Sequence, residues 1–150
     1  MRKILTGSVA CAAILAFTLA AGMISTGCSD SDNDPPSGLY TVWQLQDFTL
    51  GDGTVTAVDD STKYTIEFRT DGTVTVRADC NTCNGGFTAD DERINLGAMA
   101  CTLAACPPGS FDAQYQAALG TASEYDLAPQ LLWDYEGGTM RFIPAPTLFE

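Results

Sequence analysis

The chain holds six cysteines and no histidine, and these two facts bound its chemistry. Without imidazole, serine and cysteine triads that rely on it are excluded. Cys80-Asn81-Thr82-Cys83 has the spacing of a dithiol redox pair. Such a pair usually opens a helix whose dipole lowers a thiol pKa. Here Asn84-Gly85-Gly86 comes next, which reads as turn chemistry. Cys80, Cys83, Cys101 and Cys106 could also form a four-cysteine zinc site, plausible at the first pair and loose at the second. In an exported domain an even number of cysteines points to disulfides instead. Three pairings are open. A hairpin expected to turn near Asp91 sets Cys83 opposite residues 98–101, which favours Cys83–Cys101 nested inside Cys80–Cys106. Loops of this size stabilise by about 3 kcal/mol each in the chain-entropy model.

The remaining two cysteines lie near the amino end. Met1-Arg2-Lys3 is basic, residues 9–24 are apolar, and Ser25-Thr26-Gly27 precede Cys28, after which the sequence turns polar. That is the order of a secretory signal peptide, read here as residues 1–27 and carrying Cys11 away. Thr6, Gly7 and Ser8 shorten the apolar run, which favours a signal peptide over a spanning anchor. Ser25-Thr26-Gly27-Cys28 resembles the lipobox of bacterial lipoproteins, in which the cysteine is lipidated. Ser25 stands where an aliphatic residue is usual. The expectation is a lipid anchor on Cys28 and a place in the cell envelope, the outer membrane in preference to the inner.

Removing residues 1–27 takes two of the seven basic residues and none of the nineteen acidic ones, leaving a side-chain balance of −14 over 123 residues. That length suits one domain. The charge argues against nucleic acid and against electrostatic adhesion to anionic lipid. Residues 28–38 read as a disordered acidic tether, with no aliphatic or aromatic residue after Cys28. Asp30, Asp32 and Asp34 echo a calcium loop, but Pro35 and Thr41 stand where its glycine and glutamate belong. No metal or cofactor is expected. Asp79, Asp90, Asp91 and Glu92 gather near the cysteine loops in sequence and read as solvated turn residues rather than an acid–base pair.

The elements that must position the cysteines emerge from patterning. Residues 39–150 should form the folded domain. Residues 40–50 read as a strand and residues 51–62 as a loop or short hairpin. In residues 63–70, Tyr64, Ile66 and Phe68 alternate with Thr65, Glu67 and Arg69. Asp71-Gly72 is a hairpin turn, and Val74 and Val76 continue the alternation. Residues 85–88 and 93–96 suggest another short hairpin. Ser110 can cap a helix whose stripe is Phe111, Tyr115, Ala118, Leu119 and Ala122, with Gly120 fraying its end. Strands at 124–127, 131–135 and 139–143 close the chain. Hairpin-length links imply antiparallel pairing and an α+β class.

Several short motifs converge on one family. They are Trp43-Gln44-Leu45, Asp71-Gly72-Thr73, Cys80-Asn81 through Gly85-Gly86-Phe87, Met99-Ala100-Cys101-Thr102, and Ala105-Cys106-Pro107 before the helix. Together they resemble the META domain of HslJ-type heat-inducible lipoproteins, over about residues 40–142. Asp79 replaces the family's usual glycine, and Phe87 its tyrosine. Cys80 and Cys106 stand at the family's own cysteine positions, with Cys83 and Cys101 as additions, which supports the nested pairing. The resemblance implies a partly open antiparallel β-barrel with one amphipathic helix, similar to lipid-binding secretin pilot proteins. It also implies links to heat and antibiotic tolerance and to virulence, and it brings no catalytic site.

Three functions are in contention. The first is a non-catalytic envelope domain that binds a protein partner or a lipid-like ligand, in stress tolerance. The second is an inhibitor of an exported hydrolase, with a rigid loop in residues 102–110 entering the target's cleft. That Pro-rich loop also serves simply to lead into the helix, the plainer reading. The third is a thiol oxidoreductase using Cys80 and Cys83.

Overall fold

The computed structural model describes residues 35–146. The signal peptide, Cys28 and most of the tether therefore lie outside the described residues. Nine strands and one helix run in order: β1 (Val42–Leu50), β2 (Val55–Ala57), β3 (Tyr64–Phe68), β4 (Thr73–Ala78), β5 (Asn81–Ala89), β6 (Ile94–Cys101), α1 (Asp112–Thr121), β7 (Tyr125–Leu127), β8 (Leu131–Tyr135) and β9 (Gly138–Pro144). All strand pairs are antiparallel. The sheet runs β6-β5-β4-β3-β1-β9-β8-β7, with β2 beside β1. The class is α+β, a curled half-barrel with one helix. Its two edge strands meet only through a single bridge between Arg93 and Glu124. Ile94 N–H donates to Ser123 O and Tyr125 N–H to Glu92 O at that point. Beyond it the barrel is open.

The β3–β4 hairpin obeys the period-2 pattern: Tyr64, Ile66 and Phe68 are buried, opposite Ala78, Val76 and Val74. Gly72 takes the left-handed conformation the turn needs (φ 79°). β1 departs from simple alternation. Its pairing with β9 shifts register between Leu45 and Asp47, so Gln46 is an extra residue. Such a bulge exchanges the two faces for the rest of the strand. Phe48 thereby joins Trp43 and Leu45 in the core, and Asp47 is buried beside Arg141, which donates to its carboxylate.

Ser37 and Gly38, assigned to the tether by composition, form a 3-10 turn with Leu39. Leu39 is fully buried, and its carbonyl accepts from the Trp43 indole at 3.0 Å, which draws the chain into order. α1 buries Tyr115, Ala118 and Leu119 against the sheet, lying on β4 and β8. Tyr115 meets Tyr64 and Phe142 with ring centroids 6.0 and 6.2 Å apart. Ser110 serves the helix start one residue earlier than an N-cap would: its Oγ accepts from Asp112 N–H. The Tyr64 hydroxyl accepts from Phe111 N–H at 2.9 Å, so a core tyrosine shares the capping. The helix continues through Gly120 to Thr121.

Asn84-Gly85-Gly86 is not a turn. It lies inside β5. Gly85 is needed because β6 comes close. A Cβ on Gly85 would sit 2.8 Å from Ala98 O, where the β5–β6 register shifts. β5 therefore starts four residues earlier than glycine content suggests, and it carries Asn81 and Cys83 into the sheet.

Candidate functional site

Two neighbouring features stand at the open side of the half-barrel, a stapled strap and an apolar cleft. The strap is residues 101–110, leading from β6 into α1. Cys83 lies directly opposite Cys101 in the β5–β6 ladder, Cα atoms 4.0 Å apart, and the two form a disulfide. Cys80, just before β5, forms the other disulfide with Cys106, Cα–Cα 5.5 Å. The pairs are nested, and both land on the short stretch from Cys80 to Cys83. A redox pair between those two cysteines is thus set aside: each is bonded elsewhere. Among the described residues no three His, Cys, Asp or Glu side chains converge as metal ligands.

Asn81 fills the space beneath the strap. It is 3% exposed, and its amide is used on both sides. Oδ1 accepts from Ala104 N–H at 2.8 Å and from the Thr102 hydroxyl at 3.0 Å. Nδ2 donates to Ala104 O at 3.0 Å and to the Asp112 carboxylate at 3.2 Å. Asp112 in turn accepts from Gln116 Nε2 at 2.6 Å, tying the network to α1. A buried amide with all its groups met fixes one loop conformation. Between Thr102 and Ala104 stands Leu103, 94% exposed. Sequence reasoning meets Asn81 only as part of a motif and Leu103 only as one residue of the loop 102–110. Asn81 has a signal, a polar residue beside a cysteine at the start of a strand; Leu103 has none.

The cleft lies between the inner face of β5 and β6 and the helix. Val76, Leu96, Met99 and Leu119 line it with the Cys83–Cys101 disulfide, and Gln116 is its one amide. Its volume is about 300 Å³. A second depression shares Leu96, Met99 and Leu119 and extends it along the β6–α1 seam to Ala122.

The acidic residues do not assemble. β5 separates Asp79 from Asp90, Asp91 and Glu92 by its whole length. Asp90 accepts from the backbone N–H groups of Glu92 and Arg93, which hold its carboxyl below the usual range. Asp79 faces Lys63 at 3.8 Å. Its φ is 53°, the one positive value outside glycine among the described residues, which explains why glycine is usual there. Tyr125, at the single closing bridge, donates to Asp90 O at 2.6 Å. Burial, then the charges of Asp91 and Asp90, push its pKa up to about 12.

These features define a class, the disulfide-stapled antiparallel half-barrel with one helix laid across its opening. By sequence, the chain belongs to the META domain family, whose model matches residues 38–147. No curated protein matches the chain. Two solved structures share the fold. One is the NMR structure of a protein from Burkholderia xenovorans, 22% identical, covering 72% of this chain and 83% of that one, TM-score 0.60. The other is the crystal structure of a DUF4847 family protein from Bacteroides vulgatus, 19% identical, covering 74% and 96%, TM-score 0.52. At these identities both speak for architecture alone.

Proposed function

We propose that this chain is a non-catalytic binding domain of the cell envelope, held to a membrane by lipid on Cys28, and that it takes a lipid-like ligand in the cleft between β6 and α1. The cleft carries the reading. Its walls are aliphatic and sulfur side chains, and its volume sits at the small end of ligand pockets, about 300–1,000 Å³. A wall of this kind rewards apolar surface taken out of water, at roughly 25 cal/mol per Å². With nineteen acidic residues against seven basic ones, the ligand is uncharged where it meets the protein, or cationic. Anchoring would hold the cleft near a source of acyl chains. The lipobox-like run before Cys28 and the even cysteine count support export. The absence of histidine from the whole chain supports a role without imidazole catalysis. A part in heat or antibiotic tolerance is suggested by the family likeness.

Native mass spectrometry of protein released gently from membranes is the test. A co-purifying lipid mass is expected, lost when Leu119→Gln makes the cleft polar. Protein that is reproducibly empty and takes up no fluorescent fatty-acyl probe would end the ligand reading. Replacing Cys28 by serine should release the protein from the membrane fraction; continued retention would count against the anchor.

A further inference from the structure

We infer that residues 101–105 form a substrate-like inhibitory loop, which presents Leu103 to the primary pocket of a serine endopeptidase that cleaves after large apolar residues. This is independent of the cleft and rests on the strap alone. A singly exposed leucine is ordinary on a protein surface. What sets Leu103 apart is that the backbone on both sides of it is fixed. On its amino side, Thr102 N–H donates to Thr82 O at 3.0 Å, and the Thr102 hydroxyl accepts from Thr82 N–H at 3.0 Å. On its carboxyl side, the Asn81 amide holds both the N–H and the C=O of Ala104. The disulfides pin Cys101 and Cys106 outside these contacts. Leu103 is 94% exposed, against 38% and 36% for Leu132 and Leu50. Among the described residues, no hydrogen bond uses its backbone N–H or C=O.

The edge beside it is also open. β6 ends the sheet. Cys101 and Cys83 stand at the close spacing of a non-hydrogen-bonded antiparallel pair, so the N–H and C=O of Cys101 turn away from β5. An endopeptidase binds its substrate as an added extended strand, with alternate side chains in pockets. Cys101 offers the strand contacts, and Leu103, two residues on and free of the fold, offers the anchor. Because the loop is held in one shape beforehand, little ordering entropy is lost on binding, the condition for tight inhibition by a small surface. The anchor is aliphatic, which fits an apolar primary pocket and not one with a carboxylate at its base.

Stapling also explains how such a loop would survive its target. Hydrolysis would add one water across the Leu103–Ala104 bond, leaving a carboxylate on Leu103 and an amine on Ala104. The Leu103 side stays tied through Cys101–Cys83, and the Ala104 side through Cys106–Cys80. Both tie to the same three-residue step of chain, and Asn81 lies between them. The new ends would remain together, and the cut would release nothing.

The test uses the full disulfide-intact protein against chymotrypsin, subtilisin and trypsin, each with a chromogenic peptide substrate. Wild type should inhibit at least one of the first two below micromolar concentration and leave trypsin unaffected. Leu103→Gly should weaken inhibition about 100-fold or more, the scale of a central anchor, with an unchanged unfolding curve. Leu103→Lys should move inhibition to trypsin, a gain that no folding defect could mimic. Asn81→Ala should weaken inhibition and let the enzyme cut through the loop rapidly. Three results would overturn the inference: no inhibition of either apolar-pocket enzyme, Leu103→Gly inhibiting as wild type does, or rapid degradation of wild type from the loop. Each would leave the cleft reading untouched.

Discussion

The two sides of this half-barrel hold their shape by different means. On one side, β1, β8 and β9 bury Trp133, Met140, Phe142, Leu45 and Phe48 in the core. Packing there is dense enough to leave the Tyr115 hydroxyl and the Trp133 indole N–H buried without partners among the described residues. Each such group costs about 1–3 kcal/mol, which apolar burial offsets. On the other side, β6 buries only Ile94 fully. The strap beyond it has almost no core, and two disulfides and one amide do what side-chain packing does elsewhere. A region with little to bury is held by covalent and polar ties in place of packing.

The largest effect should come from the packed side. Phe142→Ala should cost about 3–5 kcal/mol by urea unfolding, enough to leave the domain marginal. A cost below about 1 kcal/mol would mean the two sides are not so different. Next, replacing Cys80 and Cys106 together by serine should cost about 3 kcal/mol. Hydrogen exchange should then rise in residues 102–110, while β8 and β9 stay protected; loosening everywhere would erase the contrast. Asn81→Ala should rank third, at about 1–3 kcal/mol, from the orphaned groups of Ala104 and Asp112. Its signature is faster exchange at Ala104 N–H with both disulfides intact.

Two smaller effects probe the boundary between the sides. Tyr125 at the closing bridge keeps its proton to about pH 12, whereas in the unfolded chain it loses it near 10.0. Its contribution is therefore complete below pH 10 and drains away as pH rises towards 12. Phenolate absorbance should show one tyrosine titrating near 12, and Tyr125→Phe should flatten stability against pH in that window. Asp79→Gly should stabilise by up to about 1 kcal/mol, because glycine takes φ 53° without strain. The loss of the long contact to Lys63, 3.8 Å and exposed on the lysine side, subtracts little.

Where one face meets the core and the other meets solvent, the sequence announces it. Tyr64, Ile66 and Phe68 before Asp71-Gly72 foretell β3 and its turn, and the stripe from Phe111 to Ala122 foretells α1. Legibility fails where a residue's role is set by something distant in sequence. Asp47 and Phe48 are both buried because an extra residue, Gln46, turns the strand over, and composition carries no mark of that. Gly85 and Gly86 read as a turn, yet both lie in β5, and Gly85 is glycine because β6 lies too close for a Cβ. Asn81 looks like a spacer between cysteines. Its use emerges only when Ala104, twenty-three residues on, is brought over it. Leu103 carries no local sign at all, since exposure depends on everything that is not packed against it.

The nested disulfides also make the strap sensitive to redox conditions. Under thiol-reducing conditions the strap keeps only its hydrogen bonds to Thr82 and Asn81, while the packed side of the domain loses nothing. Closing both bonds adds a covalent tie on each side of Leu103. On the reading proposed above, the inhibitory edge is fully braced only in a compartment where sulfur is oxidised.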